Sequence, residues 1–127
     1  MARILLCEDD PVFRSVAELA LQERGHTVVA VGDGAAARRE LAEGAYDLLL
    51  TDILMPAPDG LELIAEQRKL RPTLPVLAVT AGLPQFRDLL QTSAALLGAN
   101  AVLRKPVAMP ALIAAVDALL LGGNADG

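Results

Sequence analysis

Four places in this 127-residue chain carry side chains that could do chemistry together, and each closes or follows a short apolar run. Cys7-Glu8-Asp9-Asp10 completes ARILLC, Asp52 closes YDLLLTD, Thr80 closes LPVLAVT, and Arg104-Lys105-Pro106 completes NAVLR. Gathered at one edge of a fold, three carboxylates, a hydroxyl and an ammonium share a small site. Like charges packed so closely repel and raise one another's pKa. A hard divalent cation with oxygen ligands relieves that repulsion, and Mg2+ is the natural choice. Lys105 then offers a mobile positive charge to a phosphoryl oxygen, and Thr80 offers a hydroxyl donor. Asp52 can act as a carboxylate nucleophile forming an acyl phosphate. Asp10 needs no such role, because an Asp before Pro11 is a helix cap.

The elements that must position these residues follow from the hydrophobic pattern. Runs over 2–7, 26–31, 46–52, 74–80 and 100–104 read as strands, the first buried on both faces. Helical spacing of Val12, Val16, Leu19 and Ala20 predicts a helix from Pro11 to Gly25. Further helices are expected from Gly34 to Glu43, Leu61 to about Leu70, Phe86 to Leu97 and Met109 to Leu121. The stretch ILMPAPDG holds three turn formers and reads as a loop, with Asp59-Gly60 a turn signal. Five strands alternating with five helices specify an α/β fold, a doubly wound parallel sheet covered on both faces. In such sheets ligands sit beyond the carboxyl ends of the strands, where strand order reverses. All four polar endings fall there. One domain is expected over 1–121, with 122–127 a flexible tail and no output domain after it.

Composition narrows the class. Hydrophobic residues make up 54% of the chain but only three are aromatic, so Leu, Val, Ile and Ala must build the core. The single Cys excludes an internal disulfide and suits a reducing compartment. Acidic residues at positions 8 to 10 arrive too early for a secretory signal. The Ala-rich run from Val107 to Gly123 is too short and interrupted for a membrane span. These features predict a cytoplasmic protein with no membrane partner. A net charge of −5 with scattered basic residues also argues against a nucleic-acid partner.

The motifs ILLCEDDP, LLLTDILMPAPDG, VLAVTA and LRKP, in that order, resemble the receiver domain of two-component response regulators over residues 2 to 121, in its stand-alone form. The resemblance implies a flavodoxin-like sheet in strand order 2-1-3-4-5. It implies that Asp52 takes a phosphoryl group from a histidine kinase or phosphotransfer protein. It further implies Mg2+ held by Asp9 directly, by Glu8 largely through water, by Asp52 and by the Leu54 backbone carbonyl. Thr80, the Ala81 amide and Lys105 would contact the phosphoryl group, and Lys105-Pro106 would be a cis peptide. Output would pass to a downstream protein target. Such a protein is a phosphorylated switch with possible autodephosphorylation, not a turnover enzyme.

Rival readings fit fewer residues. Gly32-Asp33-Gly34 imitates a dinucleotide fingerprint, but after the second strand, and it leaves Glu8, Asp9 and Lys105 unexplained. An Asp-nucleophile phosphatase would need a second Asp at position 54, where Leu stands. The alternative kept is a receiver-like interaction module that does not use phosphorylation. His26 reads as a surface turn residue and Cys7 as a small buried hydrophobe, whose closeness to Glu8 leaves slight scope for redox chemistry.

The chain also departs from the family. Val102 stands where many receivers carry an aromatic switch coupled to Thr80, so Thr80 and the loop after it are expected to relay the signal. Thr80 and Lys105 are 25 positions apart, longer than usual, which predicts an extended loop before the fourth helix. Leu54 and Gly82 offer no side chain to orient a hydrolytic water, which predicts a long-lived phosphoryl group. In the last helix Leu112, Val116 and Leu119 form the expected core stripe. Its Ala-rich outer face suits equally a plain small-residue surface or a flat face for a partner or a second copy. The resemblance implies a monomer or a weak homodimer through helix 4, strand 5 and helix 5.

Overall fold

The computed structural model describes residues 1–81 and 84–122. Five strands, β1 (Arg3–Cys7), β2 (Thr27–Val31), β3 (Leu48–Asp52), β4 (Val76–Thr80) and β5 (Ala101–Arg104), alternate with five helices. These are α1 (Pro11–Glu23), α2 (Gly34–Glu43), α3 (Gly60–Leu70), α4 (Arg87–Leu97) and α5 (Met109–Leu120). A single 3-10 turn over Pro84–Phe86 precedes α4, in the segment expected to be extended. Every strand pairing is parallel, and the order is β2-β1-β3-β4-β5. The chain therefore starts in the interior of the sheet, winds to one edge and then to the other. The crevice at β1 and β3 is the reversal point where such folds bind ligands.

Strand periodicity divides the core in two, because successive side chains point to opposite faces. Leu5, Cys7 and Leu49 pack with Leu41, Leu63 and Ile64 beneath α2, α3 and α4. Ile4, Leu6, Leu48 and Leu50 pack with Leu21, Leu112 and Val116 beneath α1 and α5. All residues of β3 and β4 are buried, as befits central strands covered on both sides. Asp side chains cap three helices: Asp10 accepts from the Val12 amide, Asp33 from Ala36 and Asp59 from Glu62. Among the described residues no helix is long and apolar enough to cross a membrane.

α1 forms where its spacing predicts, but the residues that mark that spacing are not the ones that meet the sheet. The stripe Val12, Val16 and Leu19 does not face the core: these residues are 72%, 47% and 57% exposed. Ala17 and Leu21 are buried instead, with Phe13 packed beside them. Both stripes have helical spacing, and the rotation of α1 is set by its fit against the sheet, which periodicity alone does not encode. His26 is no surface residue either, since its side chain is only 9% exposed and its Nδ1 accepts the Ala2 amide at 3.2 Å. The α5 stripe of Leu112, Val116 and Leu119 is buried as expected.

Candidate functional site

Strand register brings the polar endings into one row. Cys7 pairs with Thr51, Asp52 with Val79 and Thr80 with Arg104, so Glu8, Asp52, Thr80 and Lys105 stand at successive carboxyl ends of the sheet. Glu8 and Asp52 continue the alternation of Ile4, Leu6 and of Leu48, Leu50, which turns both toward the face covered by α1 and α5. Backbone bonds tie the ends together: Ile53 N–H donates to Val79 O at 3.0 Å and Lys105 N–H to Thr80 O at 2.7 Å. Gly60 opens α3 so close to β3 that an added Cβ would collide with the Asp52 carbonyl and lie 2.6 Å from Ile53 Cα. The glycine is thus a clearance beneath Asp52, where sequence alone shows only a turn.

Glu8 is 1% exposed and Asp52 4%, while Asp9 is exposed at the rim. Carboxylate oxygens of Glu8, Asp9 and Asp52 lie within 4.8 Å of one another. Glu8 is held at both oxygens, Oε2 accepting the Asp10 amide at 3.0 Å and Oε1 meeting Lys105 Nζ at 2.7 Å. Lys105 Nζ lies 3.5 Å from Asp52 Oδ2 and 4.6 Å above the centre of the Phe13 ring. Asp52 Oδ1 is buried and no donor reaches it, the one such side-chain atom among the described residues. An all-carboxylate donor set with an orphaned buried oxygen fits a hard cation such as Mg2+.

Burial raises the Asp52 carboxyl from 3.8 to about 7, with the Glu8 carboxylate beside it as the next cause and Lys105 opposing. Burial works to lower the Lys105 ammonium, but Glu8 and Asp52 together outweigh it and hold the net shift upward. Cys7, buried with its thiol 3.5 Å from the Met55 sulfur, is pushed up to about 12 chiefly by desolvation. That thiol is inert packing, not a redox centre.

The other expected residues take these places. Thr80 is buried, its hydroxyl donating to Ala81 O at 3.0 Å, and Ala81 is exposed beside it. Leu54 lies in the bend after β3 with its side chain 45% exposed. Val102 pairs with Ala78 and packs beneath α4, a position with no aromatic ring. Lys105-Pro106 is cis, and so is Ala57-Pro58, which sequence reasoning did not anticipate. Gly82 and the tail beyond Gly122 lie outside the described residues.

Sequence reasoning missed two neighbours of the site, Phe13 and Arg14, and gave a third, Arg104, no role. Phe13, one of three aromatics in the chain, lies in the first turn of α1 after the acidic run, which was the available signal. Arg14, in the same turn, donates from Nη1 to the Glu8 carbonyl at 2.8 Å, in space left by Gly32. Arg104 pairs with Asp88 at 2.7 Å and Gln91 at 2.6 Å, joining β5 to α4.

Comparison with known proteins bears on the fold and the family. The response regulator receiver domain family matches residues 4–117. The chain is 35% identical over 119 residues to the DNA-binding transcriptional regulator NtrC of Azospirillum brasilense, covering 94% of this chain and 24% of that protein. It is 41% identical over 80 residues to the response regulator receiver protein CpdR of Brucella abortus, 63% of this chain and 67% of CpdR. The chain spans between 24% and 37% of the length of several transcriptional regulators that it matches. The receiver domain of the Francisella response regulator 1452 superposes with a TM-score of 0.86 at 25% identity, covering 95% of this chain and 98% of that one.

Proposed function

The chain belongs to the response regulator receiver domain family, a family of phosphorylation-based signalling domains, and from that premise we propose that Asp52 is its phosphoacceptor. The observation that carries this reading is the buried Asp52 carboxylate, one oxygen unpartnered, between two further carboxylates and the Lys105 ammonium. The receiver unit runs over 1–121. Its donor is a histidine kinase or phosphotransfer protein, and its output is a change in affinity for a downstream protein target, read in the cytoplasm. A monomer, or a weak homodimer through α4, β5 and α5, suffices for that role.

Glu8, Asp9, Asp52 and the Leu54 carbonyl would hold Mg2+, Glu8 largely through water. Bound there, Mg2+ supplies the positive charge that keeps the carboxylates ionised and lets phosphoryl oxygens approach. An ionised Asp52 oxygen attacks phosphorus, the P–N bond of the phosphohistidine breaks, and the imidazole leaves with its electron pair. Lys105 turns from Glu8 to a phosphoryl oxygen, while the Thr80 hydroxyl and the Ala81 amide donate to the others. Thr80 thereby leaves Ala81 O, and with Val102 unable to flip as an aromatic would, the segment after Thr80 carries the change outward. Nothing in this cycle is a turnover reaction beyond slow hydrolysis of the acyl phosphate.

Intact-mass analysis after incubation with acetyl phosphate tests the reading. Wild type should gain one phosphoryl group only when Mg2+ is present, and Asp52→Ala should gain none. Wild type that stays unlabelled with Mg2+ would favour a receiver-like module that binds partners without phosphorylation.

A further inference from the structure

We propose that Phe13 is a positioning residue for Lys105, holding its ammonium over a ring face so that it stays at the site once the carboxylates are engaged by a cation. The inference rests on the phosphoacceptor reading of Asp52. Among the described residues Lys105 Nζ has three partners: Glu8 Oε1 at 2.7 Å, Asp52 Oδ2 at 3.5 Å and the Phe13 ring centre at 4.6 Å. The ring distance is well inside the roughly 6 Å over which a cation is attracted to the negative face of an aromatic ring.

The three partners differ in what competes for them. Glu8 and Asp52 belong to the carboxylate cluster, so a hard cation there draws on the same oxygens that hold Lys105. Both ion pairs weaken when that charge is neutralised. The face of a hydrocarbon ring is no ligand for a hard divalent cation, so the ring contact persists. Without it, a flexible four-carbon stem with an ammonium that hydrates strongly would swing toward water and lose its orientation.

The ring itself is well fixed. Phe13 lies in the capped first turn of α1 and packs into the cluster shared by α1 and α5. The Lys105 side chain is only 17% exposed, so the contact forms in partly desolvated surroundings where such attraction is stronger. The chain contains two Phe, one Tyr and no Trp, and its buried core residues are aliphatic apart from Cys7 and Met55. A leucine at 13 would serve the packing and would present no negative face to Lys105.

The test replaces Phe13 with mono-, di- and trifluorinated phenylalanine, which drains the ring face while nearly conserving shape, and with Phe13→Leu. The rate constant for labelling of Asp52 by acetyl phosphate, with acetate leaving, is measured at saturating Mg2+. We expect its logarithm to fall steadily with fluorination, reaching a loss of about three- to tenfold in the trifluoro and leucine proteins. Thermal unfolding should stay level across the fluorinated series. In Mg2+-loaded protein, ring current should also move the Lys105 ε-methylene proton resonances upfield relative to Phe13→Leu. A rate that is flat across the series, or lost only in the leucine protein, makes Phe13 packing alone and overturns the inference. Failure of wild type to label would refute the Asp52 reading instead, and the Lys105 resonances alone would then decide the contact.

Discussion

Metal-free protein should become less stable as pH rises from 5 to 8, and Asp52 should be the reason. Burial and the Glu8 carboxylate push its carboxyl from 3.8 to about 7. Between those values the native state keeps a proton that the unfolded chain has already lost, so stability falls with rising pH. The stabilisation is whole below about pH 4 and gone above about pH 7. At 1.36 kcal/mol per pKa unit, the full span is a ceiling of about 4 kcal/mol, of which pH 5 to 8 covers about 2.7 kcal/mol. The attraction of Lys105, 3.5 Å away, already opposes the shift and is contained in that figure. Lys105's own raised pKa acts only above its unfolded value, outside this window. The assay is urea unfolding in EDTA at the two pH values, where the midpoint should drop by about 1 M. Asp52→Asn should remove most of the slope and be the more stable protein at pH 8. Mg2+ at pH 8 should restore wild-type stability through binding to the native state. A wild-type midpoint that is level or rises across this range in EDTA, or an equal slope in Asp52→Asn, would refute the reasoning.

Gly60→Ala should destabilise the protein by about 1–3 kcal/mol in chemical denaturation, because its Cβ meets backbone atoms of Asp52 and Ile53 that cannot move aside cheaply. Arg14→Ala removes the hydrogen bond to the Glu8 carbonyl and should cost about 1 kcal/mol of stability. The same variant should weaken Mg2+ binding several-fold by calorimetry; unchanged affinity would separate Arg14 from the site. The phosphoryl group should persist for minutes or longer in Mg2+ buffer without an external phosphatase, since Leu54 cannot orient water, and a lifetime of seconds would contradict this. Light scattering with and without beryllofluoride separates the two oligomeric states: a mass that rises with beryllofluoride supports a weak dimer through α4, β5 and α5, and a monomer in both conditions removes that interface.

The sheet was legible because five apolar runs end in polar residues of the right kind, and the pairing register then aligns Cys7 with Thr51 and Asp52 with Val79. The α5 core stripe was legible for a similar reason: its apolar positions are distinct in size from the alanines between them. The rotation of α1 was not, because Val12, Val16 and Leu19 form as regular a stripe as Phe13, Ala17 and Leu21. That ambiguity concealed Phe13, whose place above Lys105 depends on which face of α1 meets the sheet. Gly60 was concealed differently, since a glycine demanded by a close approach between α3 and β3 looks in sequence like any turn glycine.

The acidic site and the aliphatic sheet pull in opposite directions. Glu8 and Asp52 prolong strands made of Leu and Ile and are nearly as buried as those residues, with one ammonium between them. Burial, and after it the Glu8 carboxylate alongside, raises the Asp52 carboxyl, which would be lower in a site open to water. An open site, however, would gain little from a cation or from phosphorylation, because water would already screen the charge. Burial therefore costs stability at rest and amplifies the response when charge changes. The groups that feel such a change first are those tied to the strand ends. Lys105 is bonded through its backbone to Thr80, and Arg104, its neighbour, grips Asp88 and Gln91 on α4. On the proposed reading, a shift in the charge at Asp52 would act on the β4–β5 ends and on α4 through these bonds, without an aromatic at position 102.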